Sequence, residues 1–548
     1  DMDVVKEALS AQEYLRSRGV MADLAVVNEK PASYAQDMQH AIDQISESIR
    51  RLGQTEGRQQ VFALRRDLMD DATWAALIAA SRVVLHARNG KIEDQVARAV
   101  SLFSAPRGVE SELDRRALLS AADFGRPVET DGGDLQFWNG YGGFSKDGDE
   151  YVVRLAGGGA TPHPWINVIS NEMFGFHISA EGAGFTWSQN SRDYQLTPWA
   201  NDPVVNRPGE AFYVTDLETG SIATPFAALS RRPSVRFETR HGLGYSTFTA
   251  QEDGLTLSLT QTVDRTRPVK FSKLTVKNTS GEPRRYRVYG YAEWILGNNP
   301  QRTQAFILSS RDEATGTLFA ANPFSIDYHR TAFFGLDGDA SGFTTSRRDF
   351  LGRFGTIAAP TAVTNRSVLN GSLEPDGAPC AALAYDIELA AGEEKVVTFF
   401  MGDCATREEA LALATDVKVS SFHGVLKTTN DFWQEFTGRL QISTPDKAMD
   451  LMVNRWLPYQ ALGCRILSRT AFYQSSGAYG FRDQLQDTLA FLIHQPDLAR
   501  RQIVNAASRQ FKEGDVQHWW LPGTGAGVRT SISDDVVWLA YATHPYIE

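Results

Sequence analysis

The sequence predicts a multidomain fold that mixes α and β: a helical N-terminal cap, a large antiparallel β-sandwich, a helical linker and a further helical domain. Three observations carry this. The chain has 548 residues, too many for one hydrophobic core, since single cores stop growing near ~250–300 residues. Its apolar residues recur with two periods, helical towards both ends and alternating in the middle. Its composition, 42% hydrophobic and 22% charged, is that of a globular chain that folds nearly throughout.

Residues 1–118 read as the helical region. In "YAQDMQHAIDQISESIRRL", Met38, Ile42, Ile45 and Ile49 fall three or four apart, the spacing of one helix face. Residues 119–420 read as the sandwich. Runs such as "LTLSLTQTVD", "KFSKLTVKN" and "RRYRVYGYAEW" alternate, and "NTSGEP", "EDG" and "LDGDASG" punctuate them as turns. The helical period returns in "TREEALALATDV" and then "TTNDFWQEFTGRL", where Asn430 or Asp431 can cap a short helix, so 421–440 read as a helical linker. From "TPDKAMDLMVNRWLPYQALGC" onward, residues 441–548 read as helices broken by Gly-rich or aromatic loops.

Several function classes are disfavoured. A net charge of −11 argues against a nucleic-acid partner, which needs clustered Lys and Arg to displace counterions. Cys380, Cys404 and Cys464 match no disulfide framework and no zinc site, and so fit a reducing compartment. The most apolar helical stretch, "WAALIAASRVVLHA", is interrupted by Arg82 and too short to cross a bilayer, and no secretory signal opens the chain. The region reads as soluble, and its ends, "DMDVV" and "HPYIE", read as those of a piece of a longer polypeptide. "AGGGA" at 156–160 is followed by "TPHPW", whose prolines forbid the helix that a phosphate-cradling loop requires. There is no HExxH, no GxSxG and no ligand-spaced His/Cys cluster.

What remains is carboxylate chemistry. In "FYQSSGAYGFRDQLQD", Asp483 and Asp487 are four apart and share a face if a helix opens there, with the planar cation of Arg482 beside them. Such a face suits vicinal sugar hydroxyls or a phosphate, while helix capping with a local ion pair explains the same residues without function. In "WWLPGTGAGVRTSISDD", Trp519 and Trp520 precede a Gly-rich loop and then Arg529, Thr530, Ser533, Asp534 and Asp535. Aromatic planes stack on sugar C–H faces while carboxylates take hydroxyls. Ser533 with two following acids also reads as a helix start, and both readings can hold together. The sandwich loop "NSRDYQLTPWANDP" places Asn190, Arg192 and Asp193 near Trp199, able to bind a sugar or to stabilise its own turn. His241 reads as a structural histidine.

The order of these motifs, "TPHPWINVISNEMFGFHISAEGAGFTWSQNSRDYQLTPWANDP", "RHGLGYSTF", "RWLPYQALGCRILSRTAFYQSSGAYGFRDQLQD" and "HWWLPGTGAGVRTSISDDVVWLAYA", resembles glycoside hydrolase family 94, the inverting glycoside phosphorylases. Within it the likeness is to the phosphorylase-like region of cyclic β-1,2-glucan synthases, and it covers roughly residues 120–548. "RQQVFALRRDLMDDATWAALIAASRVVL" also looks like the segment that precedes this region in those synthases.

The resemblance implies that the helical domain is the first part of an (α/α)6 catalytic barrel, incomplete in this chain because twelve helices with loops need upwards of roughly 200–300 residues. It implies inorganic phosphate as co-substrate, no cofactor and no metal. Phosphate would attack the anomeric carbon of a β-linked glucose and release α-glucose 1-phosphate, trimming chains during cyclic glucan synthesis. Arg482, Asp483 and Asp487 would line the subsite of the transferred glucose, with Arg482 near phosphate; Arg529, Thr530, Asp534 and Asp535 would belong to the same wall, and Arg192 would reach the substrate from the sandwich. The family's general acid lies in a Trp-Asn-Asp motif downstream of "SDD" and is expected beyond Glu548, so this piece alone is expected to be inactive. Implied partners are a β-glucan, the remaining domains of the parent polypeptide and, in related phosphorylases, a second subunit. The implied location is the cytoplasmic face, as the soluble region of an inner-membrane bacterial protein. Two alternatives stay open: a β-glucan hydrolase or transglycosylase on the same scaffold, and a non-catalytic glucan-holding platform.

Overall fold

The computed structural model describes residues 2–18, 20, 22–29, 39–44, 61–103, 131–156, 159–230, 232, 234–252, 254–325, 329–353, 355–374 and 378–548. The chain divides into two compact units, Asp1–Arg115 and Arg116–Glu548.

In the first unit, helices Met2–Ser17, Asp71–Ala80 and Ile92–Phe103 accompany a parallel strand pair, Leu24–Asn28 with Val61–Arg65. Asp70 caps the second helix, its Oδ1 accepting from Thr73 N at 2.7 Å. The strand pair is an addition to the helical region read from the sequence. "LAVVN" and "VFALR" are five-residue apolar runs too short to show a period, and each finds its partner far along the sequence. Ile42 is buried on a described helical stretch. Met38, Ile45 and Ile49, the boundary near 118 and the centre of "AGGGA" lie outside the described residues.

The second unit is built on antiparallel sheets. Ten strands form one sheet and five another, and a three-stranded sheet, Ile166–Ser170, Phe174–Ser179 and Gly184–Ser188, lies beside them. The alternation seen in "LTLSLTQTV" becomes the central strand Leu255–Val263, whose residues turn buried and half-buried in sequence until both faces are covered. Between the two large sheets lies one core that includes Phe212, Tyr289, Leu274, Phe334 and Phe399; the Phe212 and Phe399 rings meet across it, tilted at 56°, with centroids 5.3 Å apart. A lysine and a glutamate buried inside it are paired. Lys270 Nζ lies 2.7 Å from Glu210 Oε2, and Thr186 and Thr197 donate to Glu210 Oε1 at 2.5 and 2.9 Å.

Helix Arg407–Lys418 covers the outer face of the ten-stranded sheet, packing Ala410, Ala414 and Val417 on Val269, Phe333 and Phe400. Helix Phe422–Gly438 follows, capped by Ser421, which accepts from Gly424 N. Asn430 and Asp431, expected to start a short helix, stand in the middle of this longer one. Its Val425, Thr429, Trp433 and Phe436 are buried, so tertiary packing carries the helix through them, and Asp431 pairs with Lys427 one turn back. Trp433 and Phe436 then join Trp456, Tyr459, Leu462 and Ile466 of a helical run from Lys447 to Ser468. That run contains π-helical turns at Met452–Trp456 and Ala461–Ser468.

Candidate functional site

Four elements meet where the two C-terminal motifs come together. Helices Phe481–Thr488, Pro496–Ala507 and Ser533–Ile547 and the hairpin Val516–Trp520/Gly527–Thr530 share a core of Phe481, Leu485, Ile503, Ala506, Val516, Trp520 and Ala542. Tyr479–Gly480 adds to the hairpin as a third strand, with Gly480 opposite Trp519. The chain therefore passes from strand to helix at Gly480, whose N–H is taken by Gln484 Oε1 at 2.5 Å. Because Phe481 and Leu485 face the core, Arg482 and Asp483 face outwards.

Arg482 is held by Asp534, with Nη1 2.6 Å from Oδ2, and its guanidinium lies over the Trp538 ring at 5.4 Å. The next residue, Asp535, is 1% exposed and sits 2.7 Å from His518 Nδ1. With Nδ1–H donating to that carboxylate, the imidazole is fixed and Nε2 is left for an outside partner. Asp535 Oδ1 and Thr530 Oγ1 are buried with no hydrogen-bond partner among the described residues. Both carboxylates stand in the first turn of the last helix, where its dipole favours them. The Ser533 hydroxyl does not cap that helix, which starts from Ile532 without a side-chain cap.

Asp483 is exposed and folds over Gly480. Asp487 shares its helix face as the spacing predicted, and Arg465 Nε holds it at 2.9 Å. Burial pushes the Asp487 carboxyl above its ordinary range, with Arg465 pulling the other way and Asp483 adding to the rise. Arg465 comes from the π-helical turn 461–468. Arg529 is turned elsewhere: Asp515 takes Nε and Nη2 at 2.5 and 2.6 Å, Glu513 takes Nη2 at 3.0 Å, and Phe511 lies under the guanidinium at 4.0 Å. The structure thus joins Arg482 to Asp534 and places His518 on Asp535, but does not bring Arg529 into that cluster. The "GTGAG" glycines form the hairpin turn, Gly523 and Gly525 at φ 92° and 71°.

The sandwich loop docks on the segment that leads into this cluster. Ser191 Oγ donates to Ser468 O at 2.9 Å, Trp199 Nε1 to Phe472 O at 2.9 Å and Asn201 Nδ2 to Tyr473 O at 3.2 Å. Ser475 Oγ donates back to Ser191 O. Arg192 is half exposed on this loop, and Asp193 Oδ1 lies 3.7 Å from its Nε.

Three residues escaped the sequence reading. His518 stood in plain view in "VQHWW", but nothing in spacing links it to a carboxylate seventeen positions on. Arg465 and the buried Arg469 lie on a helical turn whose π geometry leaves no sequence period; Arg469 ends it at φ 50°, bonding the carbonyls of Ile466, Leu467 and Gly477. His241 is a buried structural histidine, bonded to Ser246 Oγ at 2.8 Å.

The family profile "Glycosyl hydrolase 94, supersandwich domain" matches residues 149–419, and "Glycosyl hydrolase 94 superfamily, catalytic domain" matches 432–547. The chain belongs to glycosyl hydrolase family 94. Among family 94 relatives it is similar to the cyclic beta-(1,2)-glucan synthase NdvB of Rhizobium meliloti (strain 1021), 60% identical over all of this chain and 19% of that protein. It is 27% identical to the N,N'-diacetylchitobiose phosphorylase of Vibrio furnissii over 72% of this chain and 51% of the relative. The 3-O-beta-D-glucopyranosyl-beta-D-glucuronide phosphorylase of Paenibacillus borealis is 26% identical over 69% and 48%. The chain thus spans about half the length of these phosphorylases and a fifth of the synthase. The sheets described above are the family 94 supersandwich, and the helices after 432 belong to its catalytic domain. Among the described residues no helix is long and apolar enough to cross a membrane, and no cluster of His, Cys, Asp and Glu could hold a metal ion.

Proposed function

We propose that this chain is part of an inverting phosphorylase module acting on β-1,2-glucan, with inorganic phosphate as co-substrate and no cofactor, that trims chains during cyclic glucan synthesis. The observation that carries the reading is the meeting of two motifs about fifty residues apart at one helix turn: Arg482 on Asp534 and His518 on Asp535. Each donor is oriented by its own carboxylate before any substrate arrives, which is the preorganisation that recognition of a sugar or an oxyanion needs.

In the proposed reaction a phosphate oxygen bonds to the anomeric carbon as the glycosidic C–O bond breaks on the opposite face. An acid gives its proton to the departing oxygen. Phosphate is nucleophilic enough to replace the base that an inverting hydrolase uses on water. Asp483, exposed and without an ion-pair partner among the described residues, accepts hydroxyls of the transferred glucose. Asp487 and Arg465 form the wall beside it, and Arg482 holds phosphate. Arg529 and Thr530 support the hairpin edge of the same wall, while Arg192 reaches the glucan from the sandwich loop. The leaving-group acid comes from residues outside this chain, so the chain alone turns nothing over.

The test is release of glucose 1-phosphate from β-1,2-glucan by the longer natural protein with and without phosphate. The reading expects product only with phosphate; glucose released equally in its absence supports the hydrolase instead.

A further inference from the structure

The Asn190 side chain is wholly buried and works at both ends. Its Oδ1 accepts from the backbone N–H groups of Arg192 and Asp193 at 2.9 and 3.0 Å, closing its own turn. Its Nδ2 donates across to the carbonyl of Gly477 at 2.9 Å. Arg469 Nε gives a second hydrogen bond to the same carbonyl at 3.0 Å, and Gly477 N returns one to Arg469 O at 3.0 Å. Gly477 is left-handed at φ 63°, and a Cβ there would fall inside the surface of Asn190 Oδ1. The peptide is therefore clamped from two sides, three residues before the turn at Gly480 from which Arg482 and Asp483 project.

The clamp has its own footing. Asp403, wholly buried on the strand Glu394–Cys404, accepts from Ser188 Oγ at 2.8 Å and Tyr194 OH at 3.2 Å, and Arg330 pairs with it. Ser188 and Tyr194 flank Asn190 in sequence, so the loop base is fixed to the ten-stranded sheet. A continuous hydrogen-bonded path then runs from that sheet to Gly477, and the backbone carries it on to Gly480.

We infer that Asn190 is a positioning residue for the sugar site: by holding the Gly477 carbonyl it sets the strand-to-helix turn that aims Arg482 and Asp483. This rests on the reading that Asp483 contacts the glucan and Arg482 the phosphate. It also resolves the two uses weighed for the "NSRDY" loop, since Asn190 neither meets the sugar nor serves only its own turn.

The experiment measures affinity for a β-1,2-linked glucan oligosaccharide by calorimetry, using the longer natural protein. Asn190→Ser keeps a short acceptor for the turn but cannot reach Gly477; Asn190→Asp keeps the shape and loses the amide donor, and serves if the serine variant does not fold. The expected result is at least about tenfold weaker binding in either variant, shrinking to less than about twofold when Asp483→Asn is already present, because a misaimed group that is already lost costs nothing more. An equal loss in both backgrounds makes Asn190 a general structural residue and overturns the inference. Parental affinity in the Asn190 variants, with Asp483→Asn impaired, overturns it while leaving the site reading intact. An Asp483→Asn variant that binds as the parent does removes both.

Discussion

Asp483 is the proposed site residue whose replacement says most, because its carboxylate is exposed and supports no core. Asp483→Asn in the longer protein is expected to lower kcat/KM for phosphorolysis by at least about 2 kcal/mol of transition-state stabilisation, the scale of a charged hydrogen bond. Its melting curve should overlay that of the parent; unaltered kinetics would take the residue out of the site. A second residue makes a prediction about pH. His177 is buried against Phe185, and burial with Lys270 nearby pushes its imidazole down to about 3. The folded state therefore keeps it neutral while the unfolded chain protonates it below its ordinary value of 6.5. Its contribution is complete above that value and is lost as pH falls from 6.5 towards 3, by roughly 4 kcal/mol at the low end. His177→Phe should flatten that part of the stability–pH curve in chemical denaturation, and parallel curves for variant and parent would refute the assignment.

Helix ends separate what local pattern could and could not tell. The apolar period in "TTNDFWQEFTGRL" was legible, but the start was not, because Asn430 and Asp431 are good caps by type and only the burial of Val425 and Thr429 upstream shows that the helix is already under way. Ser421→Ala is expected to cost about 1 kcal/mol, whereas Asp431→Ala, which loses an exposed pair with Lys427, should cost well under that. Thermal melts that rank the two in reverse would return the helix start to 430. The same limit explains the last helix, where "SISDD" announced a helix start but not that its two acids divide their work between Arg482 and His518. A motif shows which side chains share an element; a partner on another element is set by packing, and the π-helical turn that delivers Arg465 to Asp487 has no sequence period to betray it.

Taken as one body, Arg116–Glu548 joins a sandwich to a catalytic domain through hydrogen bonds as well as apolar contact. The sandwich was readable because alternation repeated over hundreds of residues outweighs any local ambiguity. The docking of loop 190–201 on 468–477 was not, since it depends on side chains that cap their own turns and a neighbour's backbone at once. On this view the sandwich is part of the site's support. The most direct measurement is ³¹P NMR of the longer natural protein turning over β-1,2-glucan in phosphate buffer. Phosphorolysis predicts that inorganic phosphate is consumed one for one as α-glucose 1-phosphate appears. Free glucose accumulating while the phosphate signal stays constant would contradict it.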